Sequence, residues 1–318
     1  MRKNHILGLS ALLLLTTSIT AASAEGPLRE RFREKIRERM IERMKDDVAK
    51  DAAATPKPDL SFAYGGDPLT TADFWTAKGG AKGKAPLIIF VHGGGWSRGD
   101  KNNATGHWKP EHYTGLGYGF ASINYRLVPE ATVEMEANDV AAAIRAFINR
   151  ADSLGIDPHR IVLMGHSAGA HLVALVGTDD RFLSGFGLSS ADLAGVIPID
   201  GAAYDVAKQM TDGPKMMQQT YATAFGTDPA RQRALSPTFQ TAKPNAPQFL
   251  ILHVQRPDGM AQSKALAAAL TAAGTAVQIN GFAGEGLKGH MEINRSLGDP
   301  AYAATPVVDG WLKRVFGG

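Results

Sequence analysis

The sequence predicts an α/β fold built on a mostly parallel central sheet with helices on both faces. Three observations point there. Short apolar runs bounded by turn residues alternate with longer stretches of helical periodicity over most of the chain. Hydrophobic residues make up 44% of the composition and charged residues 20%, so a large core can be buried. The length, 318 residues, is within reach of a single α/β core once the N-terminal segments are set aside.

Taken in order, residues 1–24 read as a signal peptide: Arg2 and Lys3, an apolar run from Ile6 to Leu15, then Ala22-Ser23-Ala24 ahead of Glu25. Thr16, Thr17 and Ser18 end the apolar run well short of the ~20 residues that a membrane span needs. The expectation is therefore an exported protein, periplasmic or secreted, without a transmembrane segment. Residues 25–58 form a second unit. Leu28, Phe32, Ile36, Met40, Met44 and Val48 recur every fourth position among interleaved Arg and Glu, which predicts a charged amphipathic helix over 28–50. A solvated face accounts for those charges, while the narrow apolar stripe suits docking on a surface or a partner. Asp51 to Pro58 carries two prolines and no apolar period, and reads as a linker.

The globular domain is expected over 59–318. Apolar runs at 86–92, 119–127, 160–165, 194–200, 247–254 and 276–282 predict buried strands. Ala137, Val140, Ile144, Phe147 and Ile148 keep a 3.6-residue period, as do 262–273 and 307–316, and these predict helices. The connection over 201–246 is long for a compact domain and holds Met210, Met216, Met217, Tyr221 and Phe225, which predicts a cap-like helical insertion.

Composition narrows the function classes. A formal net charge of +3 is small for this length, and acids interleave with the bases wherever bases cluster, so no nucleic-acid partner is expected. The absence of Cys removes disulfides, thiol nucleophiles and Cys-ligated zinc. Neither a metal nor a cofactor is expected.

The stretch from Ile161 to Leu172, IVLMGHSAGAHL, carries the chemistry. Gly165-His166-Ser167-Ala168-Gly169 puts a serine between glycines where a strand-like run turns into a helical one. Small residues on both sides allow strained dihedrals at the turn, and Ser167 becomes the candidate nucleophile. A hydroxyl is a poor nucleophile near neutral pH, so the chain must also supply a base and a carboxylate to orient it. Only His171, His253 and His290 follow Ser167. His171 lies one helical turn on and His253 ends a strand run, whereas His290 falls in the Gly-rich stretch GEGLKGHME after the last strand. His290 is the candidate base, expected on a loop.

Two acids stand at strand ends: Asp200, closing VIPID, and Asp258, just after QFLILHV. Asp258 is preferred because its loop would neighbour that of His290. Asp200 is the fallback, or a substrate-contacting group. His92-Gly93-Gly94-Gly95-Trp96 follows another strand run. Its glycines allow the N–H groups of Gly94 and Gly95, joined by that of Ala168, to converge on a developing negative oxygen. Trp96, Trp108 and Tyr113 are candidates to stack on an aromatic substrate group.

Together HGGGW at 92–96, GHSAG at 165–169, an acid after a late strand and a histidine after the last one resemble the α/β-hydrolase superfamily, and within it the HGGG-containing carboxylesterases. The resemblance spans most of 59–318. VHGGGWSRGDK at 91–101, NYRL at 124–127, GHSAGAHL at 165–172 and HMEINRSLG at 290–298 are similar to the bacterial feruloyl-esterase-like and arylformamidase-related branch. The resemblance implies a cofactor-free hydrolase of a small-molecule ester, with Ser167 as nucleophile, Asp258 as acid, His290 as base and Gly94, Gly95 and Ala168 as oxyanion donors. An aryl formamide is the alternative substrate. Such relatives often carry Gly-Asp-x-Asp after the late strand's histidine, whereas here Val254-Gln255-Arg256-Pro257-Asp258 follows His253. A noncatalytic binding protein on the same fold is a rival from another class. It would show a broken set of roles, and here every role has a candidate residue.

Overall fold

A computed structural model of the chain describes residue 50 and residues 52–79, 83–102, 104–242 and 244–317. The signal peptide expected over 1–24 and all but the last residue of the helix expected over 28–50 lie outside the described residues. Lys50–Gly318 forms one unit. The end of the predicted linker is tied to it: the Trp75 indole donates to the Pro56 carbonyl at 3.0 Å, and the Asp59 N–H donates to the Phe74 carbonyl at 2.9 Å.

The sheet has eight strands in the order β1-β2-β4-β3-β5-β6-β7-β8. They are β1 (Leu60–Ala63), β2 (Thr71–Trp75), β3 (Ala85–Val91), β4 (Gly119–Ile123), β5 (Ile156–His166), β6 (Gly195–Ile199), β7 (Gln248–Gln255) and β8 (Ala276–Glu285). The pairs β1/β2 and β2/β4 are antiparallel and every other pair is parallel. The six parallel strands are those the apolar runs predict, to within a few residues at their ends. The edge pair β1 and β2 was not predicted, because four mostly exposed residues and a five-residue partner present no continuous apolar run.

Helices cover both faces, which is why the central strands read as unbroken apolar runs rather than alternating ones. Those of six residues or more among the described residues from Trp108 on are α1 (Trp108–Gly115), α2 (Val133–Asn149), α3 (Ala168–Thr178), α4 (Val206–Asp212), α5 (Gln218–Phe225), α6 (Pro229–Ala234), α7 (Pro257–Ala272), α8 (Gly286–Ser296) and α9 (Thr305–Val315). Successive strand residues point to opposite faces. Ile89, Leu163, Val196 and Ile251 accordingly pack with α2, α3 and α7 through residues such as Val140, Ile144, Leu172 and Leu266. Their neighbours Ile88, Val162, Ile197 and Leu250 pack with Tyr113 of α1, Ile293 of α8 and Val308, Trp311 and Leu312 of α9 on the other face. No described helix is long and apolar enough to cross a membrane.

The predicted cap-like insertion over 201–246 is helical, comprising α4 to α6 with one short 3-10 turn before α5 and another after α6. Arg231 of α6 reaches back to Glu134 of α2 at 2.8 Å, and Tyr221 and Phe225 of α5 are buried. One expectation is corrected: the stretch holding His290 is not a loop but α8. Its glycines suggest a breaker, yet Gly289 sits inside the helix because a Cβ there would lie 2.4 Å from the Gly284 carbonyl carbon. The helix buries Gly289, His290, Ile293 and Asn294, one face at the i, i+3, i+4 spacing.

Candidate active site

Parallel strands deliver their C-terminal ends to one edge of the sheet, and the site is built there. β5 runs to His166 and α3 begins at Ala168, so Ser167 alone makes the turn, with φ 57° and ψ −116°. That sparsely populated backbone is held from both sides: the Ser167 N–H donates to the Ile199 carbonyl at 3.1 Å, and the Ser167 carbonyl accepts from the His171 N–H at 3.2 Å. The first turn of α3 lies so close to β3 that a Cβ on Gly169 would meet the Val91 carbonyl oxygen at 2.1 Å. Only glycine fits there, which gives the GxSxG pattern its reason in this chain.

His290 Nε2 lies 3.0 Å from Ser167 Oγ, and its Nδ1 lies 2.6 Å from Asp200 Oδ2. With Nδ1–H donating to the carboxylate, Nε2 is left to accept the serine proton. Asp200 follows β6 directly, has φ 42°, and its side chain is fully buried. Its other oxygen accepts from the Val254 N–H at 3.1 Å. Burial pushes this carboxyl up, but the His290 hydrogen bond, the charges of His290 and Arg256 and the Val254 N–H outweigh it and hold the group well below the usual carboxylate range.

The acid against His290 is therefore Asp200, and the preference for Asp258 is corrected. Pro257 starts α7, so Asp258 stands in that helix's first turn, where a carboxylate suits the helix dipole. Its Oδ2 accepts from Gln209 Nε2 at 2.9 Å and lies 3.5 Å from Arg256 Nη1. Pro-Asp at a helix start was the available signal against it. The acid thus follows β6 rather than β7, and Arg256 stands in the loop after β7. The alternative role for Asp200, contact with substrate, is likewise replaced by its bond to His290.

The glycine loop runs past Ser167: a Cβ on Gly93 would meet Ser167 Cβ at 2.9 Å. Gly94 and Gly95 both have positive φ, 136° and 61°, and among the described residues neither of their N–H groups donates to a protein acceptor. Ala168 is the first residue of α3, where an N–H has no intrahelical partner. The three expected oxyanion donors thus belong to two segments that meet at the serine.

Trp96 is corrected as a substrate platform. The residue is 2% exposed, and its ring packs edge-on against His171, Tyr221 and Phe225 and donates from Nε1 to His171 Nδ1 at 3.2 Å. That bond leaves His171 Nε2 as the N–H donor to the Leu235 carbonyl, 2.8 Å away. One neutral imidazole so joins the glycine loop, α3 and the insertion. Tyr113 is fully buried in the core, while Trp108 is partly exposed. The insertion also reaches the glycine loop: a Cβ on Gly95 would lie 3.0 Å from Thr220 Cγ2 and 3.3 Å from Met217 Cε. Sequence reasoning missed Met217, Thr220 and Arg256 as neighbours of the site, since nothing local marks them.

Three further histidines are buried. His253 is held by its own strand, its Nδ1 lying 3.2 Å from the Val254 carbonyl oxygen. His92 Nδ1 donates to the Gly93 carbonyl at 2.8 Å, and its ring stacks on Tyr125. His166 donates from Nε2 to the His290 carbonyl at 2.9 Å. Burial lowers His92 and His171 from 6.5 to about 4, and burial with the nearby His290 charge lowers His166 well below its usual value. Between about pH 6.5 and about pH 4 the unfolded chain binds protons that the folded rings refuse, so stability falls as the pH drops through that window. Each of the first two rings accounts for a loss on the order of 3 kcal/mol. Buried Glu136, raised by burial, acts in the opposite direction above its ordinary value but is one group against three. Calorimetry at pH 5 is expected to show net proton uptake on unfolding and a Tm well below that at pH 7.

Among the described residues no group of three His, Asp or Glu is arranged to hold a metal ion. The model of the family described as BD-FAE matches residues 73–270, which hold the glycine loop, Ser167 and Asp200. Among curated relatives, esterase LipQ of Mycobacterium tuberculosis is 31% identical over 235 residues, 69% of this chain and 53% of LipQ. Esterase LipI of the same organism is 29% identical over 127 residues, 40% of this chain and 39% of LipI. The chain thus spans about half or less of the length of these relatives. Among solved structures, esterase B from Lactobacillus rhamnosis superposes with a TM-score of 0.69 at 20% identity, covering 89% of this chain and 95% of that one, a likeness of fold. With its sheet order, its serine turn and the match over 73–270, the chain belongs to the BD-FAE family and carries the α/β-hydrolase fold.

Proposed function

We propose that this protein is a serine hydrolase of carboxylic esters. The observation that carries the reading is the unbroken chain of contacts from buried Asp200 through His290 to Ser167, beside the amides of Gly94, Gly95 and Ala168. His290 Nε2 takes the Ser167 proton as Oγ attacks the ester carbonyl, and the resulting oxyanion faces the three N–H groups. The tetrahedral adduct expels the alkoxide, which leaves with the proton from His290. Water, deprotonated by the same ring, then hydrolyses the acyl-serine to acid and free enzyme. Asp200 holds the imidazole in the tautomer that leaves Nε2 free and stabilises its charged form. The names of LipQ and LipI, both esterases, agree with this chemistry.

Purified protein is expected to hydrolyse p-nitrophenyl esters of short acids and to take up one equivalent of a fluorophosphonate, with the added mass on the peptide containing Ser167. Protein that melts cooperatively but neither turns over esters nor is labelled would end this reading. A panel of short acyl, feruloyl and sugar acetyl esters with an aryl formamide, ranked by kcat/KM, identifies the substrate class. We further propose export after removal of residues 1–24, with Glu25 as the mature N-terminus; N-terminal sequencing of protein from cell fractions tests this.

A further inference from the structure

Arg256 occupies the loop after β7, where the sequence predicts an acid. Its Nη2 donates to the backbone carbonyls of Asp200 and Gly201 at 3.3 Å and 3.2 Å, and its Nε lies 3.4 Å from Asp200 Oδ2, the oxygen that His290 uses. Its Nη1 lies 3.5 Å from Asp258 Oδ2. The guanidinium therefore stands between two carboxylates, and its side chain is only 14% exposed, so solvent screens it weakly. Two consequences follow from this placement. The fork grips the backbone of a residue at φ 42°, a left-handed conformation that a non-glycine residue holds only when its surroundings enforce it. It also places a fixed positive charge on the carboxylate that must stabilise the imidazolium formed in the reaction.

We propose that Arg256 is a positioning residue that sets the basicity of His290 through Asp200, with Asp258 as its counter-charge. The inference rests on the ester-hydrolase reading for its kinetic arm. Arg256 divides its charge between Asp258 and Asp200. Removing the guanidinium leaves Asp200 uncompensated, which favours protonated His290. Removing the Asp258 charge leaves Arg256 wholly on Asp200, which disfavours it. Asp258 is in turn anchored to the insertion, because the Gln209 Nε2 that serves it also donates to the Tyr221 hydroxyl at 3.0 Å. The other titratable groups facing His290 or Asp200 are His166, held uncharged by burial, Tyr204 and Tyr302, whose burial raises them far above neutrality, and Lys109, whose charge acts on His166. None of these changes charge near neutral pH when Arg256 is replaced.

The test compares Arg256→Met, Arg256→Lys and Asp258→Asn with wild type, reading the acid limb of kcat/KM against pH for a p-nitrophenyl ester. A direct NMR titration of the His290 ring gives the same information without turnover. Arg256→Met is expected to move both upward by about one pH unit and to lower kcat by about ten- to a hundredfold. Arg256→Lys should restore most of the pH shift but less of kcat, since an ammonium keeps the charge and loses the fork. Asp258→Asn should move the limb downward, and it serves as the second readout if Arg256→Met fails to fold. A His290 titration that stays in place in Arg256→Met, or that moves the same way in Asp258→Asn as in Arg256→Met, overturns the proposal. Wild-type protein without ester turnover overturns the function instead and leaves the NMR arm to decide this one.

Discussion

Exchanging Asp200 for asparagine is expected to lower kcat about ten-thousandfold, while KM changes little. The reason is which atom carries the proton. Asp200 Oδ2 accepts from His290 Nδ1, so Nε2 is free to take the proton of Ser167 3.0 Å away. An asparagine can satisfy the Val254 N–H through its oxygen and then presents its NH2 group to Nδ1. The ring must then carry its proton on Nε2, facing the serine as a donor, and no base remains. The same exchange at Asp258 touches only Arg256 and Gln209, and kcat is expected to fall less than about tenfold. Steady-state kinetics on both variants decides between the acids: a larger loss at Asp258 would make Asp258 the orienting acid.

Ser167→Ala is expected to remove about a millionfold of kcat, because serine and base act as one unit and neither retains much alone. The substitution deletes one oxygen and leaves the turn as it stands, since alanine meets the same backbone cost at φ 57° and the flanking bonds to Ile199 and from His171 use only main-chain atoms. Cooperative melting close to that of the wild type should therefore accompany the loss of turnover and of fluorophosphonate labelling. Residual labelling at another serine, with turnover kept, would point to a different nucleophile.

The parts of this fold that sequence revealed are those where burial is two-sided. β3 and β5 to β7 pack helices on both faces, so their residues are apolar without alternation, and the serine turn announces itself through glycines that the close approach of α3 to β3 requires. Ser167, His290 and the glycine loop, singled out by residue type, come together in the structure. The edge strands β1 and β2 were missed because brief, half-solvated pairing leaves no pattern, and α8 because Gly289 breaks the helical signal for a reason that only its contact with Gly284 supplies. The acid was misplaced because strand order cannot be read from local sequence. β6 lies between the serine strand and β7, so a carboxylate leaving it reaches His290 at 2.6 Å, a proximity across 90 residues of chain.

The indole–imidazole–carbonyl junction of Trp96, His171 and Leu235 bears on how this scaffold could be re-engineered. Segment exchange is a common route to new selectivity, and the stretch over 201–246 invites it. Here, however, a transplanted roof that lacked an acceptor for the His171 Nε2–H would leave a buried donor stranded and loosen the indole that follows Gly94 and Gly95 in the glycine loop. A successful chimera would have to carry Leu235's backbone geometry with it, or rebuild Trp96 and His171 together as an apolar pair.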